Sequence, residues 1–219
     1  MTIVKLEPSK RVDERWLCWL EDGSIIRVTE NEVVAFALYA GMEVSDELYD
    51  RLTEAAGRSA VRAKAVDYIS HRPMSRKELT DKLTARPPRG KDGRQREPLA
   101  TPELAGETAD WLENLGYLND GEYAKTVARH YSAKGYGDRK VKDEMFRRGI
   151  PRQFWEAALA EAQPAESGVD AFLQKRFKGQ APDRKELKRA ADALARRGYN
   201  WSEIREGLNR YGAEIEEEL

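Results

Sequence analysis

From residue 58 onward the chain is cut into short helical pieces by one recurring punctuation, and this restricts most strongly what it can fold into. A capping residue opens each piece, apolar side chains follow three or four positions apart, and a glycine closes it. The stretch from Lys134 to Glu161 shows the pattern most fully. There Asp138 is expected to cap a helix with Val141 and Met145 on one face, and Gly149 to end it in the left-handed conformation. Pro151 suits the first turn of a second helix, whose apolar stripe is Phe154, Trp155, Ala158 and Leu159. Helices of about ten residues are marginal in isolation, so these pieces must pack on one another.

Related versions lie on both sides. A first unit has Val61, Ala65 and Tyr68 before Pro73, then Ser75-x-x-Glu78 capping a helix with Leu79 and Leu83. Its third helix starts at Thr101-Pro102, carries Leu104, Thr108, Trp111 and Leu115, and ends at Gly116. The second unit opens at Asn119-x-x-Glu122, with Tyr123, Val127 and Tyr131. The third has Val169, Phe172, Leu173 and Phe177, then Asp183-x-x-Glu186 capping Leu187, Ala191 and Leu194, then Trp201, Ile204, Leu208 and Tyr211 before Gly212. Ser75-Arg76-Lys77, Asp138-Arg139-Lys140 and Asp183-Arg184-Lys185 correspond, with Leu115-Gly116-Tyr117, Arg148-Gly149-Ile150 and Arg197-Gly198-Tyr199 as glycine hinges. The expected fold is mainly α: three tandem three-helix repeats in an extended curved array, preceded by a small β-hairpin plus helices module. Each repeat is expected to bury its apolar face mainly against its neighbours. The boundaries read as 1–57 for the N-terminal module, then 58–118, 119–163 and 164–219 for the repeats.

In the N-terminal module Arg15–Leu20 and Ile25–Val28 flank Glu21-Asp22-Gly23-Ser24, and Asp-Gly between β-prone runs predicts a hairpin with positive φ at both turn positions. Trp16 and Trp19 fall on opposite faces of the first strand. Thr29-x-x-Glu32 then caps a helix that runs to Gly41, and Ser45 opens another that Gly57 closes. Within the first repeat, Arg86 to Pro98 has no apolar side chain and reads as a mobile basic insertion carrying Arg86, Arg89, Lys91, Arg94 and Arg96. The acidic tail from Glu214 to Leu219 is expected to fray.

The net charge of −1 hides segregated fields. Residues 58–98 carry 12 basic and 5 acidic side chains, and residues 123–152 carry 9 and 3. Between them residues 99–122 have 6 acids and no base, and residues 1–57 have 12 acids against 6 bases. Fields of this kind favour specific docking over general adhesion to polyanions. No apolar run approaches the ~18 residues of a membrane helix, and the N-terminus lacks a secretory apolar core. With the single Cys18 this predicts a cytoplasmic protein without a disulfide framework.

Catalytic chemistry is poorly represented. His71 sits at a helix C-terminus and His130 beside Tyr131, and Cys18 reads as a buried small hydrophobe. No phosphate-binding loop, paired CxxC or metal-ligand spacing is present, so no enzyme, cofactor or metal site is expected. The residues left as candidates form a basic face: Arg76, Lys77, Lys134, Arg139, Lys140, Lys142, Arg147, Arg148, Arg184 and Lys185. Such a face can neutralise nucleic-acid phosphates or dock on an acidic protein, and both readings stand. Arg147 and Arg148 can equally complement the carboxyl end of their own helix.

At these residues the sequence resembles a known family. Ser75-Arg-Lys-Glu-Leu79, Trp111-Leu-Glu-Asn-Leu-Gly-Tyr-Leu-Asn-Asp120, Tyr123-Ala124 and Lys134-Gly-Tyr-Gly-Asp-Arg-Lys-Val141 through Arg148-Gly-Ile150 are similar to the bacterial RecX regulatory proteins. The resemblance spans about residues 60 to 211; it departs at Asp138, where many relatives have proline, and in the 86–98 insertion. It implies three tandem three-helix repeats and a non-catalytic regulator that binds the RecA recombinase filament on single-stranded DNA. It further implies restraint of ATP hydrolysis and strand exchange and promotion of filament disassembly; the chain is expected to act as a monomer. The alternative is a sequence-tolerant DNA-binding protein or transcription regulator that needs no recombinase.

Overall fold

The computed structural model describes residues 1–90, 93, 95–162 and 164–211. Strands β1 (Ile3–Pro8), β2 (Arg15–Leu20) and β3 (Ile25–Thr29) form an antiparallel sheet in that order. The β2–β3 hairpin was legible; β1 was not, because its charges and proline make a weak strand signal until β2 offers it a ladder. The hairpin loop is longer than a two-residue turn: the Leu20 amide donates to the Ser24 carbonyl at 2.9 Å. Only Gly23 has positive φ in it, while the Asp22 carboxylate accepts from the Ser24 amide at 2.9 Å.

Helix α1 (Glu30–Ala35) is shorter than expected, ending where Ala37 turns left-handed rather than at Gly41. The Glu32 carboxylate accepts from the Thr29 amide at 2.7 Å and from its hydroxyl at 2.8 Å. Gly57 does not end a helix. It lies inside α2 (Asp46–His71), 26 residues long, so the expected boundary between residues 57 and 58 falls mid-helix. A helical glycine costs about 1 kcal/mol relative to alanine, and burial of Leu52 and Ala56 before it and of Val61 and Ala65 after it outweighs that.

The remaining helices are α3 (Arg76–Thr84), α4 (Pro102–Asn114), α5 (Asp120–Ala133), α6 (Asp138–Arg147), α7 (Trp155–Ala160, after a 3₁₀ turn at Arg152–Phe154), α8 (Ala165–Phe177), α9 (Arg184–Arg196) and α10 (Trp201–Arg210). Among the described residues, 85–101 contain neither helix nor strand. Lys91 and Arg94 of the insertion, Gly212 and the acidic tail lie outside the described residues. No helix is long and apolar enough to cross a membrane among those described.

The chain divides into two compact units, Met1–Arg72 with Thr80–Trp111, and Pro73–Leu79 with Leu112–Leu219. The first contains a core of Ile3, Cys18, Leu20, Ile26, Val28 and Leu52, with Trp16 packed against it. In the second unit the two repeats each close a core of their own. One joins Tyr123, Val127, Val141, Met145, Ile150 and Ala158; the other joins Val169, Leu173, Leu187, Leu194, Ile204 and Leu208. This corrects the expectation that repeats bury their faces mainly on neighbours: three short stripes converge inside each repeat. The hinge alignment also needs correction. Gly149 and Gly198 lie between the second and third helices of their repeats, whereas Gly116 follows α4 and leads into α5.

Candidate partner interface

Helix α6 carries most of the expected basic face, and its N-terminus explains an error in the sequence reading. The capping position is Gly137, not Asp138, which is already the first helical residue. Gly137 has no side chain to accept the orphan amides of the first turn, and the next repeat supplies acceptors instead. The Arg197 carbonyl accepts from the Gly137 amide at 3.0 Å, and the Gly198 carbonyl from the Arg139 amide at 3.2 Å. A Cβ on Gly137 would stand 2.6 Å from the Gly198 backbone, so no side chain fits there.

The start of α3 meets the next repeat's hinge, Arg148-Gly149, in the same manner. The Ser75 hydroxyl donates to the Arg148 carbonyl while accepting from the Glu78 amide at 3.0 Å. The stem of Lys77 lies over Gly149. In the same place the Arg76 amide donates to the Asp120 carboxylate at 2.8 Å. Burial pushes the Asp120 carboxyl up, against the bond from the Arg76 amide. An Asp120→Asn variant keeps an acceptor and loses the buried charge, so its melting temperature at pH 7 should equal or exceed that of the original protein. Asp120→Ala should instead lose about 1 kcal/mol, the usual cost of an uncapped helix amide.

These joints, together with a buried carboxylate, absorb much of the expected basic face. Arg139 Nη2 donates to the Ala195 carbonyl at 2.6 Å, and Arg76 pairs with Glu113 at 2.7 Å. Lys140 packs its backbone against Gly198, leaving its side chain exposed. Glu144 is buried and holds both of the next arginines: Arg147 Nη2 at 2.6 Å and Arg148 Nε at 2.7 Å. Arg148 also donates to the Tyr123 hydroxyl. Burial raises the Glu144 carboxyl, and hydrogen bonds from Arg147, Tyr131 and Arg148 overcome it, leaving a pKa of about 2. The Arg148 side chain is 24% exposed, that of Arg147 72%. Arg148 is therefore a structural cation, while Arg147 is clamped yet accessible.

The other candidates are exposed. Lys134 lies 5.8 Å from the Tyr131 ring, and Arg184 and Lys185 are exposed in the first turn of α9, which Asp183 caps. Exposed Lys142 borders a cleft of about 300 Å³ with Asp138, Arg139, Tyr199, Asn200 and Glu203, where two carboxylates oppose an anion. One residue escaped the sequence reading altogether: Phe146, on α6 among these cations, is 69% exposed. Its position outside the Val141–Met145 stripe was the available signal.

Elsewhere the His71 ring nitrogen Nδ1 lies 2.6 Å from the Asp67 carbonyl, and burial pushes the Cys18 thiol up. Among the described residues no three His, Cys, Asp or Glu side chains are grouped to hold a metal.

Comparison with known proteins matches this architecture. Residues 119–159 fit the family description "RecX, second three-helix domain", and residues 170–208 "RecX, third three-helix domain". The Regulatory protein RecX of Xanthomonas axonopodis pv. citri is 32% identical over 145 residues, covering 65% of this chain and 82% of that protein. The one from Streptococcus gordonii is 24% identical over 221 residues, covering 100% of this chain and 80% of its own length. A crystal structure of regulatory protein RecX shares the fold with a TM-score of 0.69, at 19% identity, over 95% of this chain and 98% of that one. RecX from Lactobacillus salivarius gives a TM-score of 0.59 at 20% identity, over 72% and 98%.

Proposed function

Because the chain belongs to the RecX family of regulatory proteins, we propose that it binds the RecA recombinase, chiefly as its filament on single-stranded DNA. There it restrains ATP hydrolysis and strand exchange, with no catalytic step of its own, acting as a monomer in the cytoplasm. One observation carries this reading: a basic pair recurs in the first turn of the second helix of every repeat. The pairs are Arg76-Lys77 on α3, Arg139-Lys140 on α6 and Arg184-Lys185 on α9. Cations that recur once per repeat suit a partner that is itself periodic and acidic, so that successive repeats meet successive protomers along the filament groove.

The test is the ATPase rate of RecA filaments on single-stranded DNA, titrated with this protein. Inhibition at substoichiometric ratios supports the reading. Equal inhibition of an unrelated strand-dependent ATPase, only near saturation of the DNA, would show simple competition for the strand and defeat it. A double reversal, Lys142→Glu with Lys185→Glu, avoids the arginines that serve the fold. It should keep the melting temperature and weaken inhibition roughly tenfold, an effect that shrinks at high salt.

A further inference from the structure

The exposed side of α6 presents a line of three residues. Arg139, Lys142 and Phe146 stand three and four positions apart, which aligns them along one face of the helix, and all three are exposed. Val141, Glu144 and Met145 face the other way, into the repeat. Arg139, at one end of the line, is tied to the Ala195 carbonyl. A side chain so ordered has little freedom left to lose on binding, and Phe146, a large exposed ring among cations, belongs to neither core.

We propose that α6 docks by this line into an acidic groove of a protein partner, the Phe146 ring filling an apolar pocket while Lys142 and Arg139 meet carboxylates at its rim. The inference rests on the reading above and makes the recombinase protein, not the strand it coats, the surface that α6 touches. The single ring and the charge favour a protein. Single strands are held in basic channels with several aromatic platforms in succession; α6 offers one exposed ring. A helix laid in a groove, by contrast, is read through anchors spaced as these are, and an aromatic ring filling a pocket is a frequent binding hot spot.

The experiment compares the original protein, Phe146→Ala and Phe146→Leu for binding to RecA filaments and to the same fluorescent strand without RecA. Phe146→Ala should lose at least about tenfold in filament affinity, keep its melting temperature and leave affinity for the bare strand unchanged. Phe146→Leu should recover most of the loss by refilling the pocket. Equal weakening on the bare strand would mean that the ring stacks on bases and would overturn the proposal. So would unchanged filament affinity in the alanine variant while the original protein binds. Failure of the original protein to bind filaments would remove the underlying reading, and the proposal with it.

Discussion

Alanine at position 198 should cost the protein about 2–6 kcal/mol and loosen the third repeat from the second. Two effects combine there. Gly198 has φ +96, a conformation in which a side chain costs roughly 1–3 kcal/mol. A Cβ would also stand 2.5 Å from the Lys140 backbone nitrogen, and backbone cannot swing aside as a side-chain tip can. Overpacking of this kind typically costs about 1–3 kcal/mol. Gly116 provides the control: its φ is +77, and a Cβ there would meet nothing within 4 Å. Gly116→Ala should therefore show the conformational cost alone. Chemical denaturation of both variants measures the difference, and hydrogen exchange locates it. The Arg139 amide, bonded to the Gly198 carbonyl, should lose protection in Gly198→Ala and keep it in Gly116→Ala. Equal destabilisation of the two variants would mean that the close approach contributes nothing.

Removal of the Glu144 carboxylate should be as damaging, and its effect should depend on pH. In Glu144→Gln the largely buried Arg148 loses its nearest anion and keeps Glu78 at 4.0 Å, and breaking a buried pair from one side costs about 3–5 kcal/mol. Arg147→Ala should cost under about 1 kcal/mol, because that guanidinium is mostly in water and Arg148 remains to satisfy Glu144. The carboxyl falls from its ordinary 4.5 to about 2 on folding. A depressed acid stabilises the fold above its unfolded value, so the contribution is complete above about pH 5 and is lost as pH falls toward about 2. The lost stability amounts to about 3 kcal/mol. Denaturation midpoints from pH 7 to pH 2 should drop less steeply for Glu144→Gln than for the original protein. Parallel curves would show that Glu144 titrates normally and that its arginines do not hold it.

The same pair of arginines marks where reading the chain as a string stops working. Arg147 and Arg148 read as partner-binding cations or as complements to the carboxyl end of their helix, and nothing in the spacing singles out Glu144. Helical geometry places all three on adjoining turns, but only the packing of α6 beneath Tyr123 decides that the carboxylate is buried and must be paired. Phe146 is the converse case. Its apolar character suggested no role, and the fold leaves it outside the core beside Arg139 and Lys142.

What the sequence determined by itself is the local order of the chain. Caps at Ser45, Asn119 and Asp183 open helices as their side chains accept first-turn amides. The stripes Val141–Met145 and Leu187–Leu194 became core. Those features depend on residues within one or two turns of each other, so spacing encodes them. Only the tertiary structure decided that Gly57 continues a helix, that β1 joins the sheet, and that Gly137 is capped by carbonyls some 60 residues away in the next repeat. Each of these depends on a partner that chain distance does not specify. A backbone amide donates to any well-placed carbonyl, and nothing in the identity of Arg197 or Gly198 announces which helix they will cap.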